Sequence, residues 1–123
     1  MKKLILSPTL IILIPTLNFA SHLFGGEITW QCMGNGQYIF TMKLYRDCSG
    51  IPLSLTDIIS VNGHPTICTI PVTVTSTTDL SSVGCGYSCT GGDPRSVEEV
   101  IYTSSPVTID GVPPAAGWTF YYS

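Results

Sequence analysis

Residues 27–44 constrain the fold more tightly than any other stretch, because two alternating runs flank the tetrapeptide MGNG. In the first run Ile28, Trp30 and Cys32 fall on one side, and Glu27, Thr29 and Gln31 on the other. In the second, Tyr38, Phe40, Met42 and Leu44 alternate with Ile39, Thr41 and Lys43. A period of two is that of a pleated strand. Asn35-Gly36 tolerates the positive φ that a two-residue hairpin turn demands. The pair therefore reads as an antiparallel hairpin. Counting back from the turn sets Cys32 opposite about Gln37 or Tyr38, too far from Cys48 for those two cysteines to be partners.

An isolated hairpin is marginal in water, so further strands must cover its apolar side. In residues 68–75, Cys68, Ile70, Val72 and Val74 alternate with Thr69, Pro71, Thr73 and Thr75. Pro71 has no N–H to give a ladder, which places this strand at an edge or calls for a bulge. Residues 55–61 form a weaker run closed by Asn62-Gly63, and residues 97–103, 107–112 and 118–122 complete a set of about seven. No helical period occurs after residue 20. The expected class is all-β, an immunoglobulin-like antiparallel β-sandwich. Residues 75–94, rich in Ser, Thr and Gly, are its longest irregular stretch, and the closing WTFYYS alternates like a strand and then stops. The chain reads as a fragment of a longer protein, truncated at its C-terminal end.

The start is different in kind. Lys2 and Lys3 precede a nearly continuous apolar run over residues 4–17, and Phe19-Ala20 offers a small residue for cleavage, so residues 1–20 read as a secretory signal peptide. Pro8 and Pro15 interrupt that run, which is shorter than the roughly 20 apolar residues of a membrane-spanning helix. The mature module is then residues 21–123, secreted or displayed on the cell surface, with no membrane span. Lys43, Arg46 and Arg95 stand there against eight acidic residues, a net charge of −5. That balance leaves no basic patch for nucleic acid or an anionic bilayer.

All five cysteines, Cys32, Cys48, Cys68, Cys85 and Cys89, lie in the mature part, and in an oxidising compartment each is a disulfide candidate. The odd count leaves one thiol free, paired between chains, or deprived of its partner. Cys85 and Cys89 are spaced C-x3-C in a glycine-rich loop, which fits neither a zinc half-site nor a C-x-x-C redox pair. A structural bond is expected, either within the pair or to Cys68 and one of the hairpin cysteines.

Other chemistry-bearing residues are thinly spread. Cleavage after Ser21 would expose His22 as an N-terminal ligand, and with His64 it would make a copper clamp. Cys48 with His64 has the composition of a thiol dyad, but an exported cysteine at a strand end is usually bonded to another. Glu98 and Glu99, adjacent on a strand, point to opposite faces and cannot act on one bond. Asp79 and Asp93 lack the ladder of a calcium loop.

In Tyr45-Arg46-Asp47-Cys48, Arg46 continues the face of Phe40, Met42 and Leu44 and needs a carboxylate there, from Glu27 or a later Asp or Glu. Asp47 begins a turn with Ser49-Gly50 and can cap it. The stretch reads as a structural strand end, with Arg46 in an ion pair, Asp47 as cap and Cys48 as a disulfide partner.

Ser21-His22-Leu23-Phe24-Gly25-Gly26-Glu27-Ile28-Thr29-Trp30 after the leader, then Gly34-Asn35-Gly36-Gln37-Tyr38 and Leu44-Tyr45-Arg46-Asp47-Cys48-Ser49-Gly50, resembles the start of large exported surface proteins of Bacteroidetes-type bacteria. These are the gliding-motility-associated proteins with PKD or other immunoglobulin-like repeats and a type IX secretion sorting domain. The resemblance runs on through residues 85–92, Val97-Glu98 and the Trp118-Thr119-Phe120 strand. It implies location and architecture, with no activity and no catalytic residues to carry over. It also implies a cysteine shortly before the tryptophan strand, where this chain has Pro113-Pro114-Ala115-Ala116-Gly117. It further implies a cysteine-containing segment past that strand, and the loss of either cysteine would account for an orphaned thiol.

The function expected is that of a non-catalytic structural or adhesion module, not an enzyme and without a cofactor. Its expected partners are other domains of the same longer chain, extracellular matrix or polysaccharide. The alternatives are a polysaccharide-binding accessory domain of a secreted enzyme, favoured if Trp30, Trp118, Tyr121 and Tyr122 share one flat exposed face, and a small copper protein on His22 and His64.

Overall fold

A computed structural model describes residues 23–81 and 83–123. The leader assigned to residues 1–20, and His22, lie outside them. Seven strands and one short 3-10 turn, residues Val83–Cys85, make up the described chain. The strands are β1 (Leu23–Gly34), β2 (Gln37–Asp47), β3 (Thr56–Asn62), β4 (Thr69–Asp79), β5 (Val97–Ser104), β6 (Val107–Thr108) and β7 (Thr119–Tyr121). Among the described residues no helix is long and apolar enough to cross a membrane.

The opening hairpin forms as its alternation requires. Asn35 and Gly36 take φ of 53° and 71°, and Cys32 stands opposite Tyr38. Both strands run longer than their alternation marks, because Leu23–Gly26 pairs with the far end of β2 despite its two glycines. At Gly26 the approach is so close that a Cβ would lie 2.5 Å from the Lys43 carbonyl oxygen, so only glycine fits.

The strands form one continuous antiparallel sheet in the order β1-β2-β5-β4-β3-β7, with β6 beside β2 beyond the end of β5. The sheet rolls up until its two ends face each other, an all-β fold of the sandwich type that comes close to a barrel. Phe120 of β7 thereby meets Phe40 of β2, with ring centroids 5.0 Å apart. Inside the roll lie Phe40, Met42 and Leu44 from β2, Ile59 and Val61 from β3, Ile70 and Val72 from β4, and Val100 and Tyr102 from β5. Each large side chain buried there stabilises the fold by about 1.5–3 kcal/mol. Tyr102 keeps its polar end satisfied by donating to the Ser54 carbonyl oxygen at 2.8 Å, and burial pushes its hydroxyl up to about 12.

Of the edge or bulge that Pro71 calls for, β4 has the bulge: it is an inner strand between β3 and β5, with a register shift between Val74 and Ser76. Pro71 is accommodated because the ladder with β5 begins one residue later, at Val72 opposite Ser104. β4 also runs on to Asp79, into the stretch read as irregular, and residues 107–112 contribute only the two-residue β6. Pro106 and Pro113 bracket that segment and leave little of it able to ladder.

Candidate functional site

The chain end of β2 is a structural knot. Arg46, only 8 % exposed, donates from Nε and Nη2 to Glu98 Oε2, both at 2.6 Å, and from Nη1 to the carbonyl oxygens of Asp47 and Gly50. The partner is Glu98 because the β2–β5 register sets the two residues side by side, whereas Glu27 pairs with Lys43 at 3.1 Å. That exposed pair raises the Lys43 amine above its usual range through the Glu27 hydrogen bond. Glu99, on the other face of β5, accepts from the Tyr45 hydroxyl and raises it. Asp47 Oδ1 accepts from Ser49 Oγ and from the Gly50 N–H, each at 2.7 Å, closing the turn.

Cys48 is bonded to Cys89, with Cα atoms 5.0 Å apart. The thiol dyad with His64 is thereby excluded, since Cys48 carries no thiol. Cys32, Cys68 and Cys85 are free and exposed, so among the described residues the five candidates make one disulfide. Asp79 gathers the loop that presents Cys89. Its carboxylate accepts from the Ser81 N–H and hydroxyl, from the Cys89 N–H at 2.8 Å and from Ser88 Oγ. These donors, the Ser81 hydroxyl foremost, lower the Asp79 carboxyl to about 2. Asp93 is held by Arg95, whose guanidinium also lies 4.3 Å from the centre of the Tyr87 ring. Asp79 and Asp93 thus engage separate partners within the same β4–β5 connection, and no group of three potential ligands occurs among the described residues.

His64 is buried and fully engaged. Nδ1 accepts from the backbone N–H groups of Thr66 and Ile67 at 3.2 and 3.1 Å. The ring proton therefore sits on Nε2, which donates to the Asp110 carbonyl oxygen at 3.1 Å. With both nitrogens occupied, His64 has no lone pair left for copper. It acts instead as a prop, packing edge-on against Trp118 at 4.6 Å.

An uncovered apolar surface lies on the core face of β1. Side chains directly opposite across a ladder share a face. Ile28 stands opposite Met42 and Trp30 opposite Phe40, so both belong to the interior side, yet Trp30 is 61 % exposed. None of the described strands roofs that side. Two grooves result, joined at Phe120. One, of about 510 Å³, runs between Leu23, Ile28, Met42, Leu44, Phe120 and Tyr122. The other, of about 310 Å³, is walled by Trp30, Tyr38, Phe40, Pro113, Trp118 and Phe120.

The four aromatic residues singled out in the sequence are thus divided. Trp30 and Trp118 share a groove, Tyr122 lines the neighbouring one, and Tyr121, alternating with Phe120 and Tyr122, turns to the outer side. Phe120 and Tyr38, which complete these walls, carried no functional signal in the sequence, where they read as ordinary strand residues. Comparison with protein-family models, curated proteins and solved structures returns no match.

Proposed function

We propose that the chain is a non-catalytic module of an exported cell-surface protein, and that it works in attachment by binding. It would form the N-terminal part of a longer polypeptide of the gliding-associated kind that residues 21–50 resemble. The observation that carries this reading is the aromatic groove. Trp30, 61 % exposed, and the half-buried Trp118 line it together on a framework whose charged side chains are tied to one another. Large exposed aromatic surface on a small domain marks a place where a partner sits. The Cys48–Cys89 bond supports an oxidising compartment. In whole cells, surface proteolysis should cleave the natural protein and should spare a version lacking residues 1–20. Equal protection of both would overturn the export reading.

A second reading, favoured by the same two tryptophans, is that the groove takes a polysaccharide, whose sugar rings would stack on them. Retention on insoluble cellulose or chitin, with quenching of tryptophan fluorescence by soluble oligosaccharides, is the expected behaviour. Trp30→Ala should abolish both, while loss of neither would remove the polysaccharide as the ligand.

A further inference from the structure

The 510 Å³ groove lies between the two free ends of the sheet. Among the described residues, β1 on one side ladders to β2 alone and β7 on the other to β3 alone. Natural edge strands are guarded by lysine, proline, bulges or shortness. β7 is short, with three residues, but β1 has twelve and contains neither Lys nor Pro. Its two register shifts fall at its ends, between Leu23 and Gly25 and between Cys32 and Gly34, so residues 25–32 form a regular open edge. Below it lies apolar surface from Ile28, Met42, Leu44 and Phe120.

An occupant of this place must both satisfy a row of backbone N–H and C=O groups and bury apolar side chains on one face. A lipid or a sugar does one of these; an extended strand does both. We propose that the groove is a strand-acceptor site, in which a segment of a second polypeptide, apolar at every other position, adds to β1 and fills the gap toward β7. Five antiparallel pairings separate β1 from β7 in the sheet order, so these two edges run opposite ways. A single strand antiparallel to β1 is then parallel to β7, and the longer edge sets its direction.

The open stretch of eight residues spans about 26 Å at roughly 3.3 Å per residue, which fits a donor of six to eight residues with three or four inward side chains. With a net charge of −5 over residues 21–123, the acceptor favours a donor with basic flanks. A second copy of this chain is a poor donor. Its strands β2 to β5 carry the core, and its β1 would bring β2 with it into the gap. The inference rests on this groove and does not depend on the attachment reading, which concerns the tryptophan groove.

The test uses residues 21–123 with the disulfide formed and a blocked peptide, KTVTITVTVK, as probe. Amide hydrogen exchange by NMR reads the edge directly. Alternate amides over residues 25–32, open in the free protein, should become protected, with shifts at Ile28 and Phe120. A scrambled peptide, KTTVVTTIVK, should protect nothing. Methylating alternate backbone nitrogens of the donor on its β1 side should abolish protection, a result independent of how any protein variant folds. Ile28→Asp should weaken binding roughly tenfold or more, because it puts a charge against apolar donor side chains. Two results would overturn the proposal: β1 amides that stay open at saturating peptide, or amides already protected without peptide in a particle of twice the mass, which would assign the edge to self-association. Either can occur whether or not the protein is retained on polysaccharide, so the two readings fail separately.

Discussion

At the scale of single residues, the buried charge at Arg46 is decided by register. Alternation places Arg46 on the side of Leu44 without any structure, since the period of strand two simply continues to it. Its partner is 52 positions away, and Glu98 is chosen because β2 and β5 align Arg46 with Glu98 and Asp47 with Val97. Nothing local in the sequence contains that alignment. Removing one half of a buried pair leaves the other uncompensated, at a cost of about 3–5 kcal/mol. Arg46→Met should therefore lower stability by about 3 kcal/mol in urea unfolding, and the double variant Arg46→Met, Glu98→Leu should recover most of it. A double variant as unstable as the single one would mean that the Nη1 bonds to Asp47 and Gly50 hold the site instead. Ser96 makes the converse case. Fully buried, its hydroxyl has no partner among the described residues, although its backbone carbonyl accepts from the Cys48 N–H at 3.1 Å. Leaving a buried hydroxyl unpaired costs about 1–3 kcal/mol, so Ser96→Ala should raise the midpoint of denaturation, the opposite of most core substitutions.

At the scale of elements, strands were legible where one face is buried and the other wet, as in β2, where Ile39, Thr41 and Lys43 face outward. They were less legible where tertiary pairing overrides composition. Gly25 and Gly26 weaken β1 as an isolated strand, yet Tyr45 and Leu44 opposite them hold that segment in the ladder. The Thr-rich end of β4 gives no apolar alternation, because Thr77, Thr78 and Asp79 are exposed and are fixed by β5 opposite them. The open groove was legible only in part: the tryptophans suggested an exposed face, but Trp30 shares the period of Ile28, and only the strand order shows that none of the described strands covers it.

The loop after β4 depends on a single carboxylate, and its sign follows from the donors around it. Asp79 is lowered to about 2 in the folded chain, against 3.8 without those donors. A depressed carboxyl contributes stability that is complete above the unfolded value and is lost as pH falls through the folded one. The acid limb of the stability curve should therefore contain a component between pH 3.8 and about 2 that Asp79→Asn removes. Amide exchange at Cys89, whose N–H the carboxylate accepts, reports the same loss locally. A limb unchanged by the substitution would place the acid sensitivity elsewhere.

At the scale of the molecule, the Cys48–Cys89 bond joins the end of β2 to the loop before β5 and encloses β3, β4 and the irregular stretch between. It spans 41 positions, and closing a loop of that length removes about 4 kcal/mol of freedom from the unfolded chain on the entropic account. For a domain of this size that is a large share of a total stability of about 5–15 kcal/mol. Cys48→Ser and Cys89→Ser should each lower stability by about 3–4 kcal/mol, and the double variant by no more than either single one, because one bond is lost in every case. Adding reductant to the natural chain should reproduce that loss and should leave the variants where they are. Cys32→Ser, Cys68→Ser and Cys85→Ser, at exposed free thiols, should change the midpoint little. Should Cys85→Ser instead match Cys89→Ser while Cys48→Ser does not, the bond in solution joins the two cysteines of the loop. The β2 end would then be held by Arg46 and Glu98 without a covalent tie.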